Sequence, residues 1–194
     1  MCFSIAFCDC VAIPTKKKGT GFMNTVIENI ITRRSVRRFT EERIPDDALA
    51  LLGEAAINAP SGMNRQEWQF IFIKNKEKIA TLASLVGKAL NRENYDLYKP
   101  ACYMIACAKP FGNLSAADCA CALENVFLAA TSLNIGSVWI NQIIDAQDAE
   151  KVREYLLSLG MNKDYRVYGS VSLGYSAEDG EKRARKENCV KFVD

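Results

Sequence analysis

AADCACALENVFLAATSL, residues 116–133, is apolar almost all the way round a helical projection, interrupted mainly by Glu124 and Asn125. Alanine and leucine favour the helix. A surface helix would carry one broad polar face, so this one belongs at the centre of a core or against a second subunit. Just before it, CYMIACA (102–108) is an apolar run of strand length and reads as a strand buried on both faces. After it come two more strands, GSVWIN (136–141) and YRVYGSVSLGY (165–175). Between these, Asp145 is placed to cap a helix carrying Val152, Leu156 and Leu159.

Working back toward the N-terminus, residues 76–90 have a helical pattern and WQFIFI (68–73) alternates as a strand does. Asp46 or Asp47 can cap a helix after Pro45, with Leu49, Leu52 and Ala56 on one face. That helix runs into Asn58-Ala-Pro-Ser-Gly-Met-Asn64, dense in turn residues. Val26, Ile27, Ile30 and Ile31 have helical spacing and lead into Arg33 and Arg34, cations suited to a helix C-terminus. Helices and strands mix without a strict βαβ rhythm, and no repeat or low-complexity segment interrupts them. The class is α+β.

The 194 residues suit one domain with a substantial core. No run approaches the roughly 20 apolar residues that span a bilayer. The 25 basic and 23 acidic side chains leave a net charge of +2, so any basic site must be local. Histidine is absent altogether. That removes Ser-His-Asp and Cys-His hydrolases, every His-bearing metal site, and the side chain best suited to proton transfer near neutral pH. An enzyme of this composition leans on a cofactor, on sulfur or oxygen ligands to a metal, or on carboxylates. Of the eight cysteines, Cys119 and Cys121 are two apart on a helix and point to different faces. With no CxxC pair and no four-cysteine spacing, no metal is expected, and most are read as buried, reduced packing thiols of a cytoplasmic protein.

Residues 1–22 fit nothing that follows. They lack the basic start of a secretory signal, and Asp9 breaks the apolar part. Lys18-Gly19 is encoded by AAA or AAG followed by GG, the core of a bacterial ribosome-binding site, and Met23 follows shortly after. The prefix is therefore either a structured extension or sequence upstream of a start at Met23, with residues 23–194 forming a single domain. N-terminal sequencing of protein from its native source separates the two.

TRRSVRRF (32–39) places four arginines in six positions. As a solvated turn these would simply repel. As a phosphate site, guanidinium groups grip oxygens bidentately and Ser35 adds a hydroxyl. No Walker loop or GxGxxG is present, which argues against ATP and a Rossmann-type dinucleotide site. A second basic group, Lys182-Arg183-Ala-Arg185, lies near the C-terminus. Acidic residues around both clusters, among them Glu41, Glu42, Glu178 and Asp179, break any continuous stripe that would track nucleic acid.

Four segments in this order, TRRSVRRF, APSGMNRQEWQF (59–70), LNIGSVWINQ (133–142) and the basic tail, resemble the flavin-dependent nitroreductase family over about residues 24–194. The resemblance implies a central, mainly antiparallel sheet flanked by helices, an intertwined homodimer, and FMN in each of two interface sites. It further implies that Arg33, Arg34, Ser35 and Arg37 contact the phosphate and ring edge. Pro60, Ser61, Gly62 and Asn64 would reach the flavin of the other subunit, while Trp139, Ile140, Asn141 and Gln142 would lie along the ring near N5. Arg183 and Arg185 would return to the phosphate. No catalytic acid or base is expected, because the flavin carries the chemistry. The implied reaction is ping-pong transfer from NADH or NADPH to a nitroaromatic, quinone or similar acceptor. Many relatives have glycine beside N5 where this chain has Asn141-Gln142, which leaves the acceptor open. Other flavin chemistry on the same fold (dehalogenation, flavin cleavage, azoline oxidation) and a non-catalytic flavin protein are the alternatives.

Overall fold

In the computed structural model of the chain, residues 24–180, 184–187 and 189–193 are described. Helix α1 (Thr25–Thr32) is capped by the Asn24 side chain, which accepts from the Ile27 N–H at 3.0 Å. Helix α2 (Asp46–Ile57) buries Leu49, Leu52 and Ala56, the face expected from spacing. Its N-cap, however, is Pro45, with Asp46 and Asp47 already in the first turn. Pro45 is tolerated there because it fixes φ and has no N–H to leave unsatisfied.

The sheet comprises β1 (Trp68–Ile73), β2 (Cys102–Ala108), β3 (Gly136–Ile140) and β4 (Arg166–Gly174), in the order β1-β2-β4-β3, antiparallel throughout. β2 pairs on both sides, and all seven of its residues are buried, as its unbroken apolar run demands. Helix α4 (Leu114–Ser132) packs against one face with α2, burying Cys119, Leu123, Val126 and Phe127. By length and composition α4 could cross a membrane. Here it is a core helix, and its Asn125 amide donates to Ala55 O in α2 at 3.0 Å.

The opposite face is covered by α3 (Lys76–Ala89), α5 (Gln142–Ala146) and α6 (Glu150–Ser158). Asp145 thus lies inside α5 rather than capping the helix with Val152, whose N-cap is Ala149. Ile143 and Ala146 are the reason: both are buried, so the chain turns into a helix directly after β3. Cys102, Cys107 and Cys119 are buried free thiols, whereas Cys121 and Cys189 are exposed; the remaining cysteines lie outside the described residues.

Candidate functional site

The arginine segment begins where α1 ends. Arg33 is the C-cap, its N–H donating to Asn29 O, and the chain then extends along the outer edge of β3. Val36 N–H donates to Ser137 O at 3.0 Å, and Ser35 forms a parallel bridge with Ser137. On its other side the segment meets the chain leaving β4, through Thr40 N–H to Tyr175 O at 2.8 Å and Ala177 N–H to Arg38 O at 2.9 Å. Gly180 passes so close that a Cβ there would stand 2.5 Å from the Arg34 Cβ.

Among the four arginines, Arg38 faces Glu178, with Nε 3.9 Å from Oε2, and the same carboxylate accepts the Arg37 backbone N–H at 3.1 Å. Arg34 folds back, its Nη1 donating to Ile31 O at 2.7 Å and Arg33 O at 2.8 Å. The Arg33 guanidinium carbon lies 5.9 Å from the centroid of the Phe127 ring. Arg33, Arg34 and Arg37 make no ion pair with a carboxylate among the described residues. Three cations within five positions, without internal counter-charge, suit a multiply charged anion with several oxygens.

Phe127 joins this cluster to the end of β3, its ring centroid 6.0 Å from that of Trp139. Gly169 makes room for the indole, since a Cβ there would come 3.0 Å from Trp139 and 2.5 Å from Leu123. Trp139 Nε1–H donates to Asn141 Oδ1 at 2.6 Å. An indole nitrogen only donates, so the Asn141 amide is fixed oxygen-inward and its NH₂ is left to donate elsewhere. Gln142 Oε1 accepts from the Tyr95 hydroxyl at 3.3 Å, and burial pushes that phenol up to about 12, keeping it a donor.

The backbone of β3 completes the edge. The Ser137 carbonyl faces the arginine segment, while the Ile140 carbonyl faces β4 and accepts from Ser170 Oγ at 2.8 Å. Backbone groups alternate along a strand, so the Trp139 N–H and C=O and the Asn141 N–H face the arginine side. None of the three has a partner outside the β3–β4 ladder among the described residues. The arginine segment, which includes Ser35, and the strand-edge donors therefore share one edge.

The loop at 60–64 lies elsewhere. Gly62 N–H donates to Asp118 Oδ1 at 2.9 Å, and a Cβ on Gly62 would stand 3.0 Å from Leu114 Cδ1. Both contacts lie in the opening turns of α4, whereas Phe127 is roughly 13 Å further along its axis at 1.5 Å per residue. One chain thus brings residues 33–37 and 139–142 together but keeps Pro60, Ser61, Gly62 and Asn64 apart from them. The loop is tightly built: Met63, Asn64 and Gln66 all have positive φ, at 56°, 53° and 51°. Ser61 Oγ accepts from Gln66 N–H, Gln66 Nε2 donates to Asn64 Oδ1, and Arg65 pairs with Glu67 while stacking 3.9 Å over Phe111. Arg185 is exposed; Arg183 lies outside the described residues.

Asp118, Phe127, Tyr95 and the Ser170 hydroxyl are absent from the sequence reading. The available signals were an acid in the first turns of an apolar helix and serines at every second position of GSVSLG, a strand otherwise fit for burial.

Residues 30–175 match the family model described as the nitroreductase family. An Archaeoglobus fulgidus protein provisionally named an NADH dehydrogenase/NAD(P)H nitroreductase is 30% identical over 81% of this chain and 88% of its own length. A nitroreductase with bound FMN from Bacteroides fragilis superposes with a TM-score of 0.84 at 37% identity, covering 89% of this chain and all of that one. A second, from Desulfitobacterium hafniense and also with bound FMN, gives 0.82 at 28% identity over the same shares.

Proposed function

This chain belongs to the nitroreductase family, and on that premise we propose that it is an FMN-dependent NAD(P)H oxidoreductase reducing nitroaromatics, quinones or similar small acceptors. The observation that carries the reading is the edge of β3. A segment carrying Ser35 and three arginines without carboxylate partners runs there beside unpaired backbone donors among the described residues. They fit a ligand that is anionic at one end and rich in acceptor atoms at the other. Arg33, Arg34, Ser35 and Arg37 would hold the FMN phosphate, with Arg183 and Arg185 returning to it from the tail. Trp139, Ile140, Asn141 and Gln142 would lie along the ring. The bound cofactor supplies hydride exchange between a reduced nicotinamide and an acceptor, each taking the same site in turn. The chain supplies charge, orientation and fixed donors, and a histidine is not needed for any of these.

The second half of the site would come from another copy of the chain. Its supporting observations are the separation of the 60–64 loop from the arginines and the apolar face of α1, where Val26, Ile27, Ile30 and Ile31 remain 40–60% exposed. A homodimer built on these surfaces would bring Pro60, Ser61, Gly62 and Asn64 to the partner's flavin. Residues 23–194 would form one such domain, working in the cytoplasm. Asn141-Gln142, in the segment where many relatives have a glycine, would narrow the acceptor space or donate into it, which keeps a dehalogenating or dehydrogenating reaction on the same fold as the second reading. Steady-state assays with NADH, NADPH and a nitroaromatic decide between them. Nicotinamide oxidation coupled to nitro reduction supports the first, and absence of oxidation with either nicotinamide rejects it.

A further inference from the structure

Two hydroxyl groups are buried in the core beneath the site without any role in the function just proposed. Tyr103 in β2 and Ser170 in β4 are both 0% exposed, and their oxygens are 2.6 Å apart. Ser170 has one proton, and it is donated to the Ile140 carbonyl at 2.8 Å. The Tyr103 O–H must therefore be the donor to Ser170 Oγ. The result is a directed chain, Tyr103 to Ser170 to Ile140 C=O, in which each bond polarises the next. Burial pushes the Tyr103 phenol far up, outweighing the hydrogen bond with Ser170, so its proton stays in place. The fold does not demand such a chain, because replacing both partners of a buried hydrogen bond by apolar groups of similar shape is often nearly neutral.

The consequence lies one atom beyond the chain. In a trans peptide the C=O and the following N–H point in opposite directions. Holding the Ile140 carbonyl toward β4 holds the Asn141 N–H outward, on the edge shared with the arginines. We infer that Tyr103 and Ser170 are positioning residues that reinforce the hold of the β3–β4 pairing on this peptide and strengthen the Asn141 N–H as a donor to the bound flavin. The inference rests on the FMN reading above. Neither residue touches the ligand; both act through the Ile140–Asn141 peptide.

The neighbouring Ser172 provides the control. It too is 0% exposed, but its hydroxyl donates to Leu97 O at 2.8 Å, away from the end of β3. The test is FMN titration of flavin-stripped protein by fluorescence quenching, with the visible spectrum of the bound flavin, for wild type, S170A, Y103F and S172A. S170A is expected to weaken FMN binding roughly five- to tenfold and to shift the long-wavelength flavin band. Y103F is expected to move both in the same direction but less, and S172A to match wild type in both. Wild-type affinity and spectrum in S170A would overturn the inference. So would equal weakening in S170A and S172A, which would mean general loosening of the core. If S170A does not fold, Y103F decides in its place, and an unshifted spectrum there is the contrary result. Wild-type protein that takes up no FMN would instead reject the underlying reading, a distinct outcome.

Discussion

At Arg33 and Arg37 the guanidinium groups make no ion pair among the described residues, which leaves them available to the proposed anionic ligand. Arg33→Ala or Arg37→Ala should weaken FMN retention by about 1.5–3 kcal/mol for each charge-assisted bond lost, while thermal stability barely changes. Titration of the stripped protein measures the first and a melting curve the second. Lysine at either position should recover only part of the loss, because it keeps charge but not the bidentate fork. The thiols give a second residue-level prediction. Burial pushes Cys102, Cys107 and Cys119 up to about 12. All three should therefore stay protonated and unlabelled by iodoacetamide at pH 8 in native protein, and peptide mapping that finds them alkylated would contradict their burial. The arginines were legible in sequence because charge density needs no tertiary knowledge. The Ser170 and Tyr103 hydroxyls were not, since nothing local tells which carbonyl a buried hydroxyl will meet across a sheet.

Among the elements, α4 carries the most structural information, and its consequences extend to the loop it braces. Asp118 accepts the Gly62 N–H and so holds a turn with three non-glycine residues at positive φ, each costing about 1 kcal/mol or more. Asp118→Ala should release that turn, reducing FMN affinity by about 1–2 kcal/mol and speeding amide exchange over residues 59–67. Asp118→Asn should behave close to wild type, because its side-chain oxygen still accepts; equal exchange in both variants would show that the contact does not hold the loop. The centres of α4 and β2 could be read from pattern because burial on all sides leaves an unbroken apolar run. Helix starts were harder. The aspartates at 46, 47 and 145 look like caps, but Pro45 preorganises one start and burial of Ile143 sets the other three residues before Asp145.

For the whole molecule, the single chain leaves an unfinished surface. No residue of α1 is buried, although four of its eight residues are valine or isoleucine. Burying an isoleucine is worth roughly 1.5–3 kcal/mol, so a second chain covering this face would gain several such terms. Ile27→Glu with Ile31→Glu should convert a dimer to monomer in light scattering and, with the partner's loop gone, release the flavin as well; a stable dimer would place the interface elsewhere. An apolar helix face looks alike in sequence whether its own core or a partner covers it, so only the fold shows that the apolar face of α1 stays exposed within the described residues. If the arginine edge of β3 holds FMN, protein purified without added cofactor should carry it, and a visible absorption spectrum reads this out. Flavin bands are expected, and they should pass into the supernatant when the protein is denatured by heat. Protein that is colourless, and remains so after incubation with FMN and desalting, would contradict it.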